Sequence, residues 1–244
     1  MTRISDAEYL SPVGQRIGRD LLAILLIAPA PIIGVWLAFQ WKNPDGSSTA
    51  MGYAAFVIGK LWMLLGPWAW WCLVEKQRPS LSPSRNGGYG LGVLTGVVIF
   101  VAIVGAYLLA GTKLIDHDAV RGIAAETGLA NPGMYFGLVL YWIFVNSVLE
   151  EYVYRWFLQA KTAWLGAWGS AIASSALFTV HHVLALKYQF DWTVTIIASS
   201  GVFAGGMIWC WLVRRTKSIW PAWVSHALAD VAVFLVGYWV IFGG

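Results

Sequence analysis

Seven long apolar stretches constrain this chain more than any other feature of its sequence. They run through roughly residues 20–40, 53–75, 89–112, 135–159, 168–187, 193–213 and 220–241. Each approaches the ~20 residues that a helix needs to cross a hydrocarbon layer about 30 Å thick. Backbone groups cannot remain unpaired in lipid, so we expect these stretches to be helices. The sequence therefore predicts an all-α, polytopic transmembrane helix bundle of about seven spans, with an eighth left open.

The composition agrees with a membrane domain and leaves little room for a soluble one. Of the 244 residues, 59% are hydrophobic and 11% are charged, whereas soluble domains carry about 25% charged residues. We expect a cytoplasmic tail over residues 1–19, followed by a single transmembrane domain over 20–244. Cys72 and Cys210 lie within apolar stretches, so we interpret them as packing residues.

The basic residues predict how the bundle is oriented. They concentrate at the ends of the apolar stretches, with ten on one side and four on the other. This distribution predicts a cytoplasmic N-terminus and argues against a nucleic-acid partner, although the formal net charge is +4. The compact chain shows no targeting sequence, so we expect an integral, multi-pass protein of a prokaryotic plasma membrane. Lys60 is close enough to the end of its stretch to snorkel, and we assign it no function.

Three ionisable groups interrupt the fourth stretch, where charge is most costly. Glu151 and Arg155 are four residues apart, so they share a helix face and can pair. Glu150 points about 100° away from Glu151 on a helix. An ionisable group at the bilayer centre costs roughly 2.5–3.5 kcal/mol even on the lenient insertion scale. The arginine can therefore keep Glu151 ionised and leave Glu150 free to act as a base.

Two later stretches each contribute a polar pair at the same spacing. Phe178 and His182 are four residues apart, as are His226 and Asp230. Alone, each pair is also typical of a hydrogen-bonded packing histidine. Together, the carboxylates and imidazoles form a set that can hold and deprotonate a water and stabilise developing charge on oxygen. We therefore expect the chemistry to lie in a core over residues 135–235.

These motifs resemble those of one family of membrane proteases. In chain order they read Glu150-Glu151-x-x-x-Arg155, Phe178-x-x-x-His182 and His226-x-x-x-Asp230. They are similar to the three motifs of the CAAX protease and bacteriocin-processing (CPBP, or Abi) family of intramembrane endopeptidases, which includes the Ras-converting CAAX endopeptidases. The stretch "RRTKSIWPAWVSHALAD" also resembles the surroundings of the family's third motif.

The resemblance implies a role for each matching residue. It implies that Glu150 activates a water together with His182, and that His226 and Asp230 stabilise the oxyanion. The supporting residues that it implies are Glu151, Arg155 and Phe178. His181 falls outside the motif spacing and is left out of the catalytic set. The last motif position is Asn in the best-understood CAAX endopeptidases, and an ionised Asp cannot donate a hydrogen bond. We therefore expect Asp230 to orient His226, so that the imidazole donates.

The family has been described both as glutamic proteases and as metalloproteases. Zinc is a cofactor that Glu150, His182, His226 and Asp230 could bind, since carboxylates and imidazoles are zinc ligands. The zinc-peptidase signature H-E-x-x-H is absent from the sequence, and a water activated by Glu and His needs no metal. We therefore expect a glutamic endopeptidase without a cofactor.

Other functions and several substrates remain open at this stage. A proton-coupled transporter could use the same buried acids and histidines, and a non-catalytic immunity or partner protein is a third alternative. As partners we expect the lipid bilayer and a peptide or protein with a membrane-proximal cleavage site. That substrate could be a prenylated peptide, a bacteriocin leader or a C-terminal sorting tag. The sequence decides neither the side of substrate entry nor the oligomeric state.

Overall fold

The computed structural model describes residues 13–43, 49–78, 80–84 and 86–243, and its regular elements in these ranges are all helices. Nine are used below: α1 Val13–Ile27, α2 Pro29–Gln40, α3 Ala50–Val74, α4 Tyr89–Leu114, α5 His117–Glu126, α6 Pro132–Lys161, α7 Gly166–Lys187, α8 Trp192–Thr216 and α9 Trp220–Phe242. In α3, α4 and α6 the helix includes π-helical turns, at Trp70–Val74, Tyr107–Gly111, Trp142–Asn146 and Glu151–Leu158.

Seven helical segments of the described chain are long and apolar enough to cross a membrane, which confirms the predicted bundle. The first, Gly14–Gln40, combines α1 and α2. These two helices are separate because Pro29, which has no backbone N–H, opens α2 immediately after a break at Ala28. The α1 helix begins at Val13, inside the predicted tail of residues 1–19, and residues 1–12 of that tail lie outside the described residues.

Local sequence signals start two of the helices that carry the polar motifs, α6 and α9, and also α8. The side chain of Asn131 accepts a hydrogen bond from the Met134 backbone N–H at 3.1 Å and caps α6. Asp191 caps α8 in the same way, through the Val194 N–H at 2.8 Å. Pro221 occupies the first turn of α9, where its missing N–H has no cost.

Small residues let α9 approach its neighbour α4 closely. A Cβ added at Gly92 would lie 2.3 Å from the backbone oxygen of Pro221, and one at Gly96 would lie 2.6 Å from the side chain of Leu228. Helices in lipid associate through such close packing because no hydrophobic effect drives them together. The contact places the N-terminal half of α9, with its histidine, deep inside the bundle.

Two polar contacts tie the helix ends together at one face of the membrane. The ammonium of Lys161 pairs with Glu75 and lies 3.4 Å from the Asp20 carboxylate, and all three side chains are buried. The loop that follows Glu75 and leads to α4 docks on the start of α9. In this contact the Ser218 hydroxyl donates to the Ser82 carbonyl at 2.6 Å. The ends of α3, α6 and α8 and the start of α9 therefore share one face.

Candidate active site

The candidate site begins on α6, where Glu150, Glu151 and Arg155 are all at most 3% exposed. A π-helical segment, Glu151–Leu158, starts immediately after Glu150. Such widened turns occur often at functional sites, because they change the direction of the side chains that follow. The two adjacent glutamates face His226 from opposite ring nitrogens, and only Glu151 also pairs with Arg155.

Glu151 is held by two partners inside the bundle. Its Oε1 lies 3.5 Å from Nη1 of Arg155, which confirms the predicted ion pair. The same oxygen lies 2.9 Å from Nδ1 of His226. Because a carboxylate only accepts hydrogen bonds, Nδ1 must carry the proton and donate. Glu151 therefore fixes the tautomer and the orientation of His226. It is also the counter-charge of the Arg155 guanidinium.

The guanidinium of Arg155 lies between aromatic rings rather than in a network of acceptors. Its centre is 4.1 Å from the ring centroid of Phe178 and 4.9 Å from that of Trp209. Gly206 lies close beside it, because a Cβ added there would come within 3.0 Å of the Ser175 hydroxyl and 3.3 Å of Nη2 of Arg155. Cation–π contacts of this kind gain strength when the cation is desolvated. Phe178 thus packs the support pair, in line with its predicted role.

Glu150 faces histidines but makes no direct hydrogen bond to them. Its Oε1 is 3.7 Å from Nε2 of His181, and its Oε2 is 3.6 Å from Nε2 of His226. These distances exceed a hydrogen bond and suit a carboxylate that reaches its neighbours through water. Glu150 is therefore buried yet free to bind a small polar molecule.

His182 completes this side of the site. Its Nδ1 lies 2.9 Å from the Phe178 carbonyl oxygen, so Nδ1 donates and Nε2 is left as an acceptor. Three potential metal-ligand atoms, one each from Glu150, His181 and His182, lie within 4.8 Å of one another. His181, which the motif spacing leaves out of the catalytic set, is thus brought into the site by the structure. Adjacent histidines about 100° apart can both face an acid that lies between them.

Asp230 does not hold His226 in the way that the sequence suggested. Its Oδ1 is 3.7 Å from Nε2 of His226, the nitrogen that also faces Glu150. The orienting hydrogen bond comes from Glu151 on the opposite nitrogen, Nδ1. The expectation that Asp230 orients the imidazole is therefore corrected, because a carboxylate from another helix takes that position. The Asp230 side chain is 16% exposed, and its Oδ2 has no hydrogen-bond partner among the described residues.

Lys60 is a site neighbour that the sequence analysis assigned no function. Its ammonium donates to Oδ1 of Asn146, one helical turn before Glu150, and lies 5.3 Å from the ring centroid of Phe56. It is near enough to Glu150 for the two charges to interact. Lys60 therefore turns into the bundle rather than snorkelling. Asn146, a polar residue four positions before Glu150, is the one sequence signal for this contact.

Trp209 is a second neighbour that no motif identifies. Its ring stacks on the His226 imidazole, with centroids 4.0 Å apart and planes 18° from parallel. Its indole N–H donates to the Ser225 hydroxyl at 3.1 Å, and Thr95 of α4 donates to the same oxygen at 3.0 Å. The imidazole is thus fixed on one face by an aromatic ring and at its edge by Glu151.

The donor set of the site also fits a divalent metal ion. Glu150, His181 and His182 offer one carboxylate and two imidazole ligands, a combination that zinc accepts. This trio shares Glu150 and His182 with the zinc set predicted from the sequence, and contains His181 in place of His226 and Asp230. Nδ1 of His181 has no hydrogen-bond partner among the described residues.

The fold and the site together define a multi-pass membrane protein with a buried acid–histidine centre. Residues 132–232 match the family model described as "Type II CAAX prenyl endopeptidase Rce1-like". This segment contains all three motifs, and the match confirms the CAAX protease family resemblance over that part of the chain. No curated protein and no solved structure matches the chain. Over residues 132–232 the chain is thus similar to CAAX-type prenyl endopeptidases.

The two adjacent glutamates are expected to affect stability differently. Replacing Glu151 with Gln leaves the buried Arg155 guanidinium without a counter-charge, which typically costs about 3–5 kcal/mol. The same change at Glu150 removes no direct hydrogen bond, so the free energy of unfolding should change by less than about 1 kcal/mol. Thermal unfolding midpoints of the purified variants in detergent provide the measurement. Equal losses for Glu151→Gln and Glu150→Gln would contradict this division of roles.

Proposed function

We propose that this protein is an intramembrane glutamic endopeptidase, which cleaves a membrane-associated peptide or protein with a water activated by Glu150 and His182. One observation carries the proposal: the Glu150 carboxylate is buried, faces two imidazoles at 3.6–3.7 Å and is tied to neither of them by a hydrogen bond. A buried carboxylate without a hydrogen-bonded partner is costly in lipid and is typical of a site that handles protons.

The first step is the attack of water on the scissile carbonyl carbon. Glu150 accepts one proton of the water as its oxygen forms the new bond to carbon. The unprotonated Nε2 of His182, fixed by the hydrogen bond from Nδ1 to the Phe178 carbonyl, accepts a hydrogen bond from the second hydrogen, which stays on the attacking oxygen. The π electrons of the carbonyl move onto oxygen, which becomes an oxyanion.

In this proposal His226 stabilises that oxyanion. As an imidazolium it donates Nδ1–H to Glu151 at 2.9 Å and directs Nε2–H towards the space in front of Glu150. Asp230, 3.7 Å from Nε2, balances the imidazolium charge until the substrate oxygen takes its place. Preorganised donors of this kind are worth about 2.7–4 kcal/mol each in acyl-transfer enzymes.

Collapse of the intermediate breaks the carbon–nitrogen bond. Glu150, now protonated, gives its proton to the leaving amine, and the products are a carboxylic acid and an amine. Lys60 and Arg155 serve the two glutamates separately: Arg155 pairs with Glu151, and Lys60 interacts with Glu150 through space. Each of the two glutamates thus has a cation near it, the buried Arg155 for Glu151 and the half-buried Lys60 for Glu150.

A metal-dependent variant would use part of the same site. Glu150, His181 and His182 would hold a zinc ion, and a bound zinc ion would supply Lewis-acid activation of water. Our proposal assigns the proton transfers to Glu150 instead, since the sequence lacks the H-E-x-x-H helix.

The cleavage reaction is tested by removing the base and its partner. Glu150→Gln and His182→Ala should each lower the cleavage rate by roughly 10²–10⁴-fold, the usual contribution of a general base. Glu126→Gln, at the exposed end of α5, is the matched control and should keep the wild-type rate. The assay follows membrane-anchored reporters that carry a prenylated C-terminal peptide, a bacteriocin leader or a C-terminal sorting helix. Cleavage at the wild-type rate by either site variant would rule out this mechanism.

Excess chelator distinguishes the glutamic mechanism from the metal-dependent one. With excess EDTA the glutamic mechanism predicts a cleavage rate unchanged within about twofold, because none of its steps requires a metal. The measurement is the initial rate on the reporter that the wild-type protein cleaves, before and after removal of the chelator. Loss of activity that zinc alone restores would contradict the glutamic mechanism and indicate catalysis by a metal bound to Glu150, His181 and His182.

The cellular setting of the reaction is part of the same proposal. We propose that the N-terminus faces the cytoplasm of a prokaryotic cell, on the basis of the basic residues at one face of the bundle. The ends of α6 and α8 and the loop before α4 share that face, which brings Lys161, Arg214 and Arg215 to one side.

A further inference from the structure

A basic pocket lies between the start of α7 and the end of α8, away from the residues of the proposed reaction. Its volume is about 260 Å³. The residues that line it are Trp168, Ala171, Met207, Trp211, Arg214, Arg215 and Lys217. Sites that enclose drug-sized ligands measure about 300–1,000 Å³, so this pocket suits a smaller polar group.

Three cations converge on this pocket without acidic partners. Among the described residues, no carboxylate forms an ion pair with Arg214, Arg215 or Lys217. Arg214 is positioned by the backbone, because its Nη1 donates to the Ala167 carbonyl at 2.8 Å. Two other basic residues within helices, Arg155 and Lys161, do have carboxylate partners. The charge of this pocket is therefore available to a ligand.

Tryptophans form the apolar wall of the same pocket. Trp168 is 69% exposed and Trp211 is 42% exposed, although both lie on membrane-spanning helices. Tryptophan is favoured at the headgroup level of a bilayer, where its ring contacts acyl chains and its N–H contacts polar groups. The pocket thus combines a cationic end, at the helix termini, with an aromatic wall that faces lipid.

Orientation signals alone do not require this arrangement. Positive charge that orients a helix needs only to lie in a short loop. Lys76 and Arg78 meet that requirement, since their loop docks on the start of α9 at the same membrane face. Arg215 and Lys217 additionally line a concave site with two indole rings, which indicates a ligand.

We propose that this pocket binds the phosphate headgroup of an anionic membrane phospholipid. The guanidinium of Arg215 and the ammonium of Lys217 would bind the phosphate oxygens, and arginine is well suited to this because its planar fork matches phosphate geometry. The first carbons of the acyl chains would run along Trp168, Met207 and Trp211. Basic pockets between transmembrane helices are a recurrent form of lipid headgroup recognition.

Binding of defined lipids to the purified full-length protein tests this proposal. Native mass spectrometry in detergent would compare dioctanoyl phosphatidylglycerol, dioctanoyl phosphatidylcholine and inorganic phosphate. We expect tighter binding of phosphatidylglycerol than of phosphatidylcholine. The double variant Arg215→Gln/Lys217→Gln should weaken phosphatidylglycerol binding about 25-fold, at roughly fivefold for each cation removed. Trp211→Leu should weaken both lipids, because it removes the aromatic wall.

The matched control is the double variant Lys76→Gln/Arg78→Gln, which removes two cations from the same face but outside the pocket. It should bind phosphatidylglycerol like the wild-type protein, and circular dichroism should show unchanged helix content in both double variants. Equal weakening in the two double variants would reduce the effect to general surface charge and overturn the proposal. Wild-type affinity in Arg215→Gln/Lys217→Gln would also overturn it. Inorganic phosphate that displaces the lipid at equal concentration would identify an ion site rather than a lipid site.

Discussion

The buried contact of Glu151 with Arg155 and His226 is the interaction on which the rest of the site depends. Three ionisable groups of α6 lie where an unpaired charge costs several kcal/mol, and the ion pair compensates two of them. Because Glu151 also accepts from Nδ1 of His226 at 2.9 Å, the same carboxylate connects α6 to α9. Glu151 thereby neutralises Arg155, joins two helices and sets the tautomer of His226.

This arrangement explains why the chain has two adjacent glutamates in one span. With the structural tasks given to Glu151, Glu150 needs no fixed partner and can change its protonation state without loosening the bundle. The surrounding groups then sort by position: His181 and His182 on α7, His226 on α9 and the ammonium of Lys60 on α3. A single carboxylate thus faces two other helices at short distance and interacts with the charge of a third.

Much of the architecture could be predicted from the sequence because lipid leaves few alternatives. The apolar stretches become helices, Pro29 opens a new helix after the break at Ala28, and Pro221 starts α9. The pairing of Glu151 with Arg155 also follows from helical spacing alone, since both partners belong to one helix. Contacts within one helix, and structure that the bilayer imposes, could therefore be predicted from the sequence.

Contacts between helices could not be predicted in the same way, because they depend on how the spans pack. Lys60 faces Asn146 rather than the membrane surface, and Trp209 covers His226 without any motif that marks it. The role expected of Asp230 went to Glu151 for the same reason: spacing along α9 does not reveal that another helix presents a better-placed acceptor. His181 likewise enters the site only once α6 and α7 are packed together.

The most direct test of this account is an experimental structure of the protein in lipid nanodiscs, at a resolution that shows ordered water. The account predicts one water within about 2.6–3.2 Å of both the Glu150 carboxylate and Nε2 of His182. It also predicts that Glu151, and not Glu150, is bonded to Nδ1 of His226. A Glu150 carboxylate far from the imidazoles of His182 and His226, with no cavity shared between them, would contradict the proposed endopeptidase mechanism.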